Sequence, residues 1–178
     1  MAKKRPDYVL FDRDTRAIVF GYQQRAIQRM LDFDYICRRE KPSVACIVNP
    51  TRDGFHKCFW GTKEILLPMY RTIKEATSNH PDADVMVNFA SFRSAYPTTK
   101  EALESETIRT VAVIAEGVPE HRTKELIKIA NKRNKGIIGP ATVGGIAAGA
   151  FRIGNTAGTI ENIIASKLHR PGSVAYVS

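Results

Sequence analysis

Short β-branched runs recur along this chain, separated by stretches long enough for a helix, and that alternation constrains the fold more than any other feature. The runs are Ala17-Ile18-Val19-Phe20, Val44-Ala45-Cys46-Ile47-Val48, Val85-Met86-Val87-Asn88, Thr110-Val111-Ala112-Val113-Ile114 and Gly136-Ile137-Ile138. They are apolar at consecutive positions, as strands covered on both faces require. Between them lie helical patterns. Residues 25–36 bring Ile27, Met30, Leu31 and Tyr35 near one face. Residues 68–77 open on a proline, which suits a first helical position, and carry Met69, Ile73 and Ala76 on one side. Residues 98–103 start from Thr98 as a cap, and residues 119–132 turn Leu126, Ile127 and Ala130 inward. Strand–helix alternation of this kind predicts an α/β fold with a parallel, doubly wound sheet and right-handed crossovers.

Three segments depart from the pattern. Residues 51–67 contain Asp53-Gly54 and then Lys57-Cys58-Phe59-Trp60-Gly61, which reads as a turn with a short extra strand or hairpin. From Gly139-Pro140 to Gly158 the chain is rich in Gly, Ala and Thr, and no period fits it. Ser173-Val174-Ala175-Tyr176-Val177 reads as a last strand without a helix behind it, and is expected to open a following domain. No internal repeat or low-complexity tract interrupts the chain.

At 178 residues with 43% hydrophobic content, the chain can bury a core without disulfides or a structural metal. Its three cysteines, Cys37, Cys46 and Cys58, lack Cys-x-x-Cys spacing, which points to reduced thiols in a cytoplasmic protein. The basic start, Met1 to Pro6, has no apolar core behind it and is not a signal peptide. The longest uncharged stretch, 136–151, is broken by Pro140 and several glycines, so a membrane helix is not expected. A net charge of +9 favours a polyanionic partner: nucleic acid, an anionic surface or a phosphorylated cofactor.

In an open parallel sheet, ligands bind beyond the carboxyl ends of the strands, where strand order reverses. The loops there are therefore the candidates. Gly21-Tyr22-Gln23-Gln24-Arg25 turns straight into a helix whose start offers N–H groups to an anion. It lacks the later glycines of a dinucleotide fingerprint. Asn49-Pro50-Thr51-Arg52 places an Arg where a ribose phosphate would be met. Phe89, Ser91 and Arg93 follow the third run and could line a pyrophosphate or pantetheine path, although Phe89 and Phe92 suit a core equally. Ala115-Glu116-Gly117-Val118-Pro119 again presents backbone N–H groups ahead of a helix, and Glu116 lacks the partner that a general base needs. Thr142-Val143-Gly144-Gly145 superficially looks like a phosphate loop but has no Lys-Ser/Thr after it. The histidines, His56, His80, His121 and His169, lack ligand spacing and read as surface residues, so no metal site is expected.

Taken together, AIVFGYQQ (17–24), MLDFDY (30–35), WGTKEIL (60–66), NFASFRSAY (88–96), IAEGVP (114–119), IGPATVGGI (138–146) and ASKLHRPGSVAYVS (165–178) resemble the CoA-binding region of the ATP-citrate lyase and citryl-CoA synthetase family. A more distant resemblance is to the α subunit of succinyl-CoA synthetase, with loops like EGIP and IGPNCPG. The resemblance implies a Rossmann-like domain holding coenzyme A, with Gly21, Tyr22, Gln23, Gln24 and Arg25 as the first CoA loop. Arg52 falls where the synthetase α subunit carries a CoA-contacting Lys. Phe89, Ser91 and Arg93 would follow the pantetheine and phosphates, and Ala115, Glu116 and Gly117 would form another CoA loop. Thr142, Val143, Gly144 and Gly145 would lie near the acyl-transfer centre. The first loop departs from the more glycine-rich synthetase version at Gln23 and Gln24.

The family's whole enzyme uses ATP and Mg2+ to phosphorylate a histidine, forms citryl-CoA and, in the lyase, cleaves it to acetyl-CoA and oxaloacetate. That chemistry serves acetyl-CoA biosynthesis or the reductive TCA cycle. No counterpart of the phosphohistidine loop, the ATP-grasp module or the cleavage domain is read here, so this segment is expected to bind CoA without turnover. Its partners would be the remaining enzyme domains, an ATP-grasp subunit and other copies in an oligomer. The implied division is an N-terminal extension at 1–14, the CoA-binding domain at 15–140, and a Gly-rich segment with the start of a following domain at 141–178. Two other readings compete: a CoA- or nucleotide-sensing regulatory domain, and a nucleic-acid module. The second rests on charge alone and lacks an aromatic-interleaved basic stripe.

Overall fold

A computed structural model of the chain describes residues 6–177; Met1 to Arg5 of the basic start, and Ser178, which ends the last family-like motif, lie outside the described residues. The sheet has seven strands in the order β3-β4-β2-β1-β5-β6-β7. They are β1 (Ala17–Phe20), β2 (Val44–Val48), β3 (Gly54–Trp60), β4 (Lys63–Tyr70), β5 (Val85–Asn88), β6 (Thr110–Val113) and β7 (Gly136–Ile138). All pair in parallel except β3, which returns antiparallel beside β4 and forms the predicted hairpin.

Consecutive apolar residues in each strand serve opposite faces, because successive side chains of a strand point to opposite sides. Ile18, Phe20, Cys46, Val48, Met86, Val111 and Val113 face α2 (Ile73–Asn79), α3 (Phe92–Glu104) and α4 (Glu120–Lys132). Ala17, Val19, Val44, Ile47, Val85 and Val87 face α1 (Gln24–Ile36), whose Ile27, Met30 and Leu31 are fully buried. The helix before the reversal of strand order thus covers one face, and the three after it cover the other. This is the doubly wound, Rossmann-like arrangement expected.

Several sequence expectations are corrected. Residues 68–70 belong to β4, and the helix starts only at Ile73, after Thr72 closes a capping box with Glu75. Pro68 is tolerated in the strand because the parallel ladder to β2 starts one residue later, at Met69. Helix α3 begins at Phe92 with Ser91 as its cap, rather than at Thr98, and carries Pro97 internally. Tyr35 and Ile127 are exposed, and Asp34 is buried in the place given to Tyr35. The Gly-rich stretch after residue 139 is not structureless. It forms a hairpin of β8 (Gly145–Ala147) and β9 (Phe151–Ile153), followed by α5 (Ile160–Ala165). Phe151 and Ile153 enter the α1-side core. Ser173 to Val177 has no regular structure and is exposed.

Residues 6–14 are tied to the body. Phe11 stacks on Phe151 at 5.1 Å, and the Arg13 guanidinium donates to the carbonyls of Cys37, Arg38 and Gly149. No helix among the described residues is long and apolar enough to cross a membrane.

Candidate functional site

The chain leaves the carboxyl ends of the parallel strands in loops that are stitched to one another along a single edge. Asn49 N–H donates to Tyr70 O (2.8 Å), Gly21 N–H to Val48 O (2.9 Å), Phe89 N–H to Phe20 O (2.8 Å), Ile114 N–H to Asn88 O (3.0 Å) and Ala141 N–H to Ala115 O (2.9 Å). The five loops picked out in the sequence therefore share one side of the sheet. Strand order reverses at β1, which lies between β2 and β5, so the switch-point crevice lies between the Gly21 and Phe89 loops. These two loops pack closely. Gly21 adopts φ +94°, and a Cβ there would lie 3.2 Å from Phe89 Cβ.

Both loops lead into helices with exposed starts. Gln23 and Ser91 are the N-caps of α1 and α3, and neither side chain caps its helix; no acidic residue lies in either first turn. The leading N–H groups and the positive ends of two helix dipoles thus face the crevice without a built-in counter-anion. Arg25 and Arg93 each occupy the second helical position and are exposed. The α4 start beyond Ala115-Glu116-Gly117 differs, because Glu120 already stands in its first turn.

The remaining candidates distribute around this pair. Arg52 is exposed beyond β2, its guanidinium carbon 5.9 Å from the Tyr22 ring centroid. Phe89 is half-buried against the α1-side core, whereas Phe92 is 52% exposed with Arg93 over its ring. Ser91 meets Ser94 through their hydroxyls at 3.2 Å. Glu116 and Gly117 are exposed, and Gly117 takes φ +75°. Thr142 Oγ1 accepts from Gly144 N–H at 3.1 Å, making a tight turn that presents Val143 at 80% exposure before Gly145 enters β8.

Two features of the edge were not visible in the sequence reading. Asn88, fully buried at the end of β5, donates to Thr98 Oγ1 (2.9 Å) and Thr99 Oγ1 (3.0 Å) and accepts from Ala90 N–H (2.9 Å), which fixes the start of the Phe89 loop. A lone amide closing an otherwise apolar run was the available signal. His56, read as a surface residue, is half-buried and hydrogen-bonded to Tyr22. The cysteines are buried, and burial raises Cys37 and Cys58 to about 11 and Cys46 to about 12, so none is a ready thiolate. Among the described residues, no group of three or more His, Cys, Asp or Glu could hold a metal ion.

The CoA binding domain family matches residues 12–117, which takes in the first four tip loops. The chain belongs to the CoA binding domain family. It is 59% identical over 175 residues to the probable ATP-citrate synthase subunit 1 of Schizosaccharomyces pombe, covering 98% of this chain and 28% of that protein. It is 60% identical over 169 residues to the ATP-citrate synthase beta chain protein 1 of Oryza sativa, covering 95% of this chain and 28% of that one. The chain thus spans little more than a quarter of either relative. A solved ATP citrate lyase from Methanothrix soehngenii, in complex with citrate and coenzyme A, superposes with a TM-score of 0.92 at 68% identity, covering 93% of this chain and 27% of that one.

Proposed function

We propose that the strand-tip edge binds coenzyme A, and that the chain acts as the CoA-binding part of an ATP-dependent citrate–CoA ligase or lyase. The observation that carries the reading is the pair of uncapped helix starts at the switch point, each with an arginine at its second position. Such a pair suits a diphosphate, whose oxygens accept from both backbone N–H groups and guanidinium. In this reading Gly21 to Arg25, Ser91 and Arg93 hold the diphosphate region, with Gly21 allowing the backbone to approach closely. Phe89 and the Ala115-Glu116-Gly117 loop border the pantetheine, and Thr142 to Gly145 lie toward the thiol end. Arg52 meets the 3′-phosphate of the ribose. In the whole enzyme, ATP and Mg2+ and an ATP-grasp partner would supply the phosphoryl chemistry, in a cytoplasmic oligomer. This segment contributes the bound thiol nucleotide and no catalytic residue.

Calorimetric titration with CoA and dephospho-CoA tests the assignment. Arg52→Ala is expected to weaken CoA about tenfold, the loss of one charge-assisted phosphate contact, and to leave dephospho-CoA unchanged. Arg93→Ala is expected to weaken both ligands alike. Equal affinities of the unaltered chain for the two ligands would remove Arg52 from its role, and no binding of either would remove the edge from its own.

A further inference from the structure

The hairpin β3–β4 extends the sheet beyond what the strand–helix alternation requires, and one of its side chains reaches back to the first tip loop. His56 Nδ1 lies 3.0 Å from the Tyr22 hydroxyl, and the two rings meet edge to face with centroids 5.3 Å apart. Gln24 Nε2 donates to the same hydroxyl oxygen at 2.7 Å. The hydroxyl accepts from Gln24 and has one hydrogen to give, which His56 takes at Nδ1 when the imidazole carries its proton on Nε2. Burial and the neighbouring Arg52 both lower the His56 pKa below its ordinary value, which keeps the imidazole neutral at neutral pH.

Tyr22 is thereby fixed from two sides, and its ring is the surface beside which Arg52 lies. Arg52 has no other anchor for its charge: the adjacent Asp53 pairs with Arg71 at 3.2 Å, and among the described residues Arg52 forms no ion pair. A long, flexible cation resting on an immobilised aromatic face is held ready for an incoming phosphate without being neutralised first.

We infer that His56 is a positioning residue for 3′-phosphate selectivity: it fixes Tyr22, and Tyr22 in turn holds the Arg52 guanidinium where the phosphate arrives. The inference rests on the role proposed for Arg52. It adds that selectivity is set by side chains brought together from the first tip loop, the second tip loop and the hairpin.

The test measures the ratio of dephospho-CoA to CoA dissociation constants for the chain and for His56→Leu, His56→Asn and Tyr22→Phe. Asn places an acceptor oxygen near the position of Nδ1, and Tyr22→Phe removes only the hydroxyl oxygen, so it carries the test should the Leu variant fold poorly. The ratio in the unaltered chain is expected near ten, falling to about two or three in His56→Leu and Tyr22→Phe, with dephospho-CoA affinity changed less than about twofold in His56→Leu, which lies outside the loops proposed to hold the ligand. His56→Asn is expected to retain the ratio, and the double variant His56→Leu/Tyr22→Phe to match either single one. Long-range nitrogen NMR of the free chain should show Nδ1 of His56 unprotonated. A full ratio in His56→Leu, a parallel loss of both ligands, or a protonated Nδ1 overturns the inference and leaves Arg52 standing. A ratio of one in the unaltered chain overturns the Arg52 reading and this inference with it.

Discussion

Replacing Arg39 by alanine is expected to destabilise the protein by about 3–5 kcal/mol, the range for breaking a buried ion pair by removing one partner. Arg39 follows α1 and its side chain is almost completely buried, as is that of Asp34, whose Oδ1 lies 3.5 Å from Arg39 Nε. The guanidinium also donates to Thr15 O (2.7 Å), Ala150 O (2.5 Å) and Asp12 O (3.3 Å). It therefore ties the N-terminal arm and the β8–β9 hairpin to the end of α1. Alanine would strand those carbonyls and leave the carboxyl without its cation. For a chain of this size the melting temperature should fall by roughly 10 °C. A loss below about 1 kcal/mol in urea unfolding would show that water replaces the arginine at little cost.

The same pair predicts a pH dependence. Burial pushes the Asp34 carboxyl up to about 7 from 3.8, against the opposing pull of the Ser43 backbone N–H, which Oδ2 accepts at 2.6 Å, and of Arg39. The folded state holds this proton to higher pH than the unfolded state. Its contribution to stability is therefore fully present below about 3.8 and is lost as pH rises through about 7. Asp34→Asn keeps an acceptor for Ser43 and removes the titration. Relative to Asp34→Asn, the unaltered chain should lose stability steadily from pH 5 to about 7 and no more above it, and a difference flat in pH would contradict the raised value.

This buried pair also marks what the sequence could not disclose. The strands were legible because apolar residues at consecutive positions leave no alternative to a sheet covered twice, and the candidate edge, whose five loops the fold brings to one side of the sheet, followed from the rule that ligands gather at carboxyl ends. Charges carry no such signature. Asp34 lies at the end of α1 and Arg39 just beyond it, and the fully buried Arg152, which donates to Arg29 O and Gly158 O, lies between Phe151 and Ile153 in the stretch that no period fits. Pro68 misled because its fixed φ suits a first helical turn and a partly unpaired strand equally. The β8–β9 hairpin was missed because Gly and Ala give periodicity nothing to register. Tyr22 and His56, separated by 34 residues and a loop, meet only because the hairpin folds back across the sheet. Local pattern specifies elements, and it is their assembly that specifies the finer parts of the edge.

The adjacent glycines 144 and 145 offer a second large effect with its own control. Gly144 takes φ +110°, and a Cβ built there would lie 2.2 Å from Ile153 O and 2.4 Å from Thr156 Oγ1. Thr156 cannot simply swing aside, because its hydroxyl holds Val143 O (2.8 Å) and Ile153 O (3.0 Å). Alanine must therefore bear both a left-handed backbone and a clash with main chain, about 1–2 kcal/mol for the first and 1–3 kcal/mol for the second. Gly145 has φ outside the left-handed range and nothing within 4 Å of its would-be Cβ. Gly144→Ala should thus cost roughly 3 kcal/mol in thermal unfolding, whereas Gly145→Ala should stay within about 0.5 kcal/mol. The clash falls on β9, whose Phe151 and Ile153 lie in the α1-side core, and on the turn bonded through Ala141 to the Ala115 loop. The Gly144 variant should accordingly weaken CoA and dephospho-CoA in parallel, unlike Arg52→Ala, whose loss is expected for CoA alone. Equal behaviour of the two glycine variants would mean that the hairpin shifts to accommodate a methyl group, and that the tip geometry does not depend on the backbone approach at residue 144.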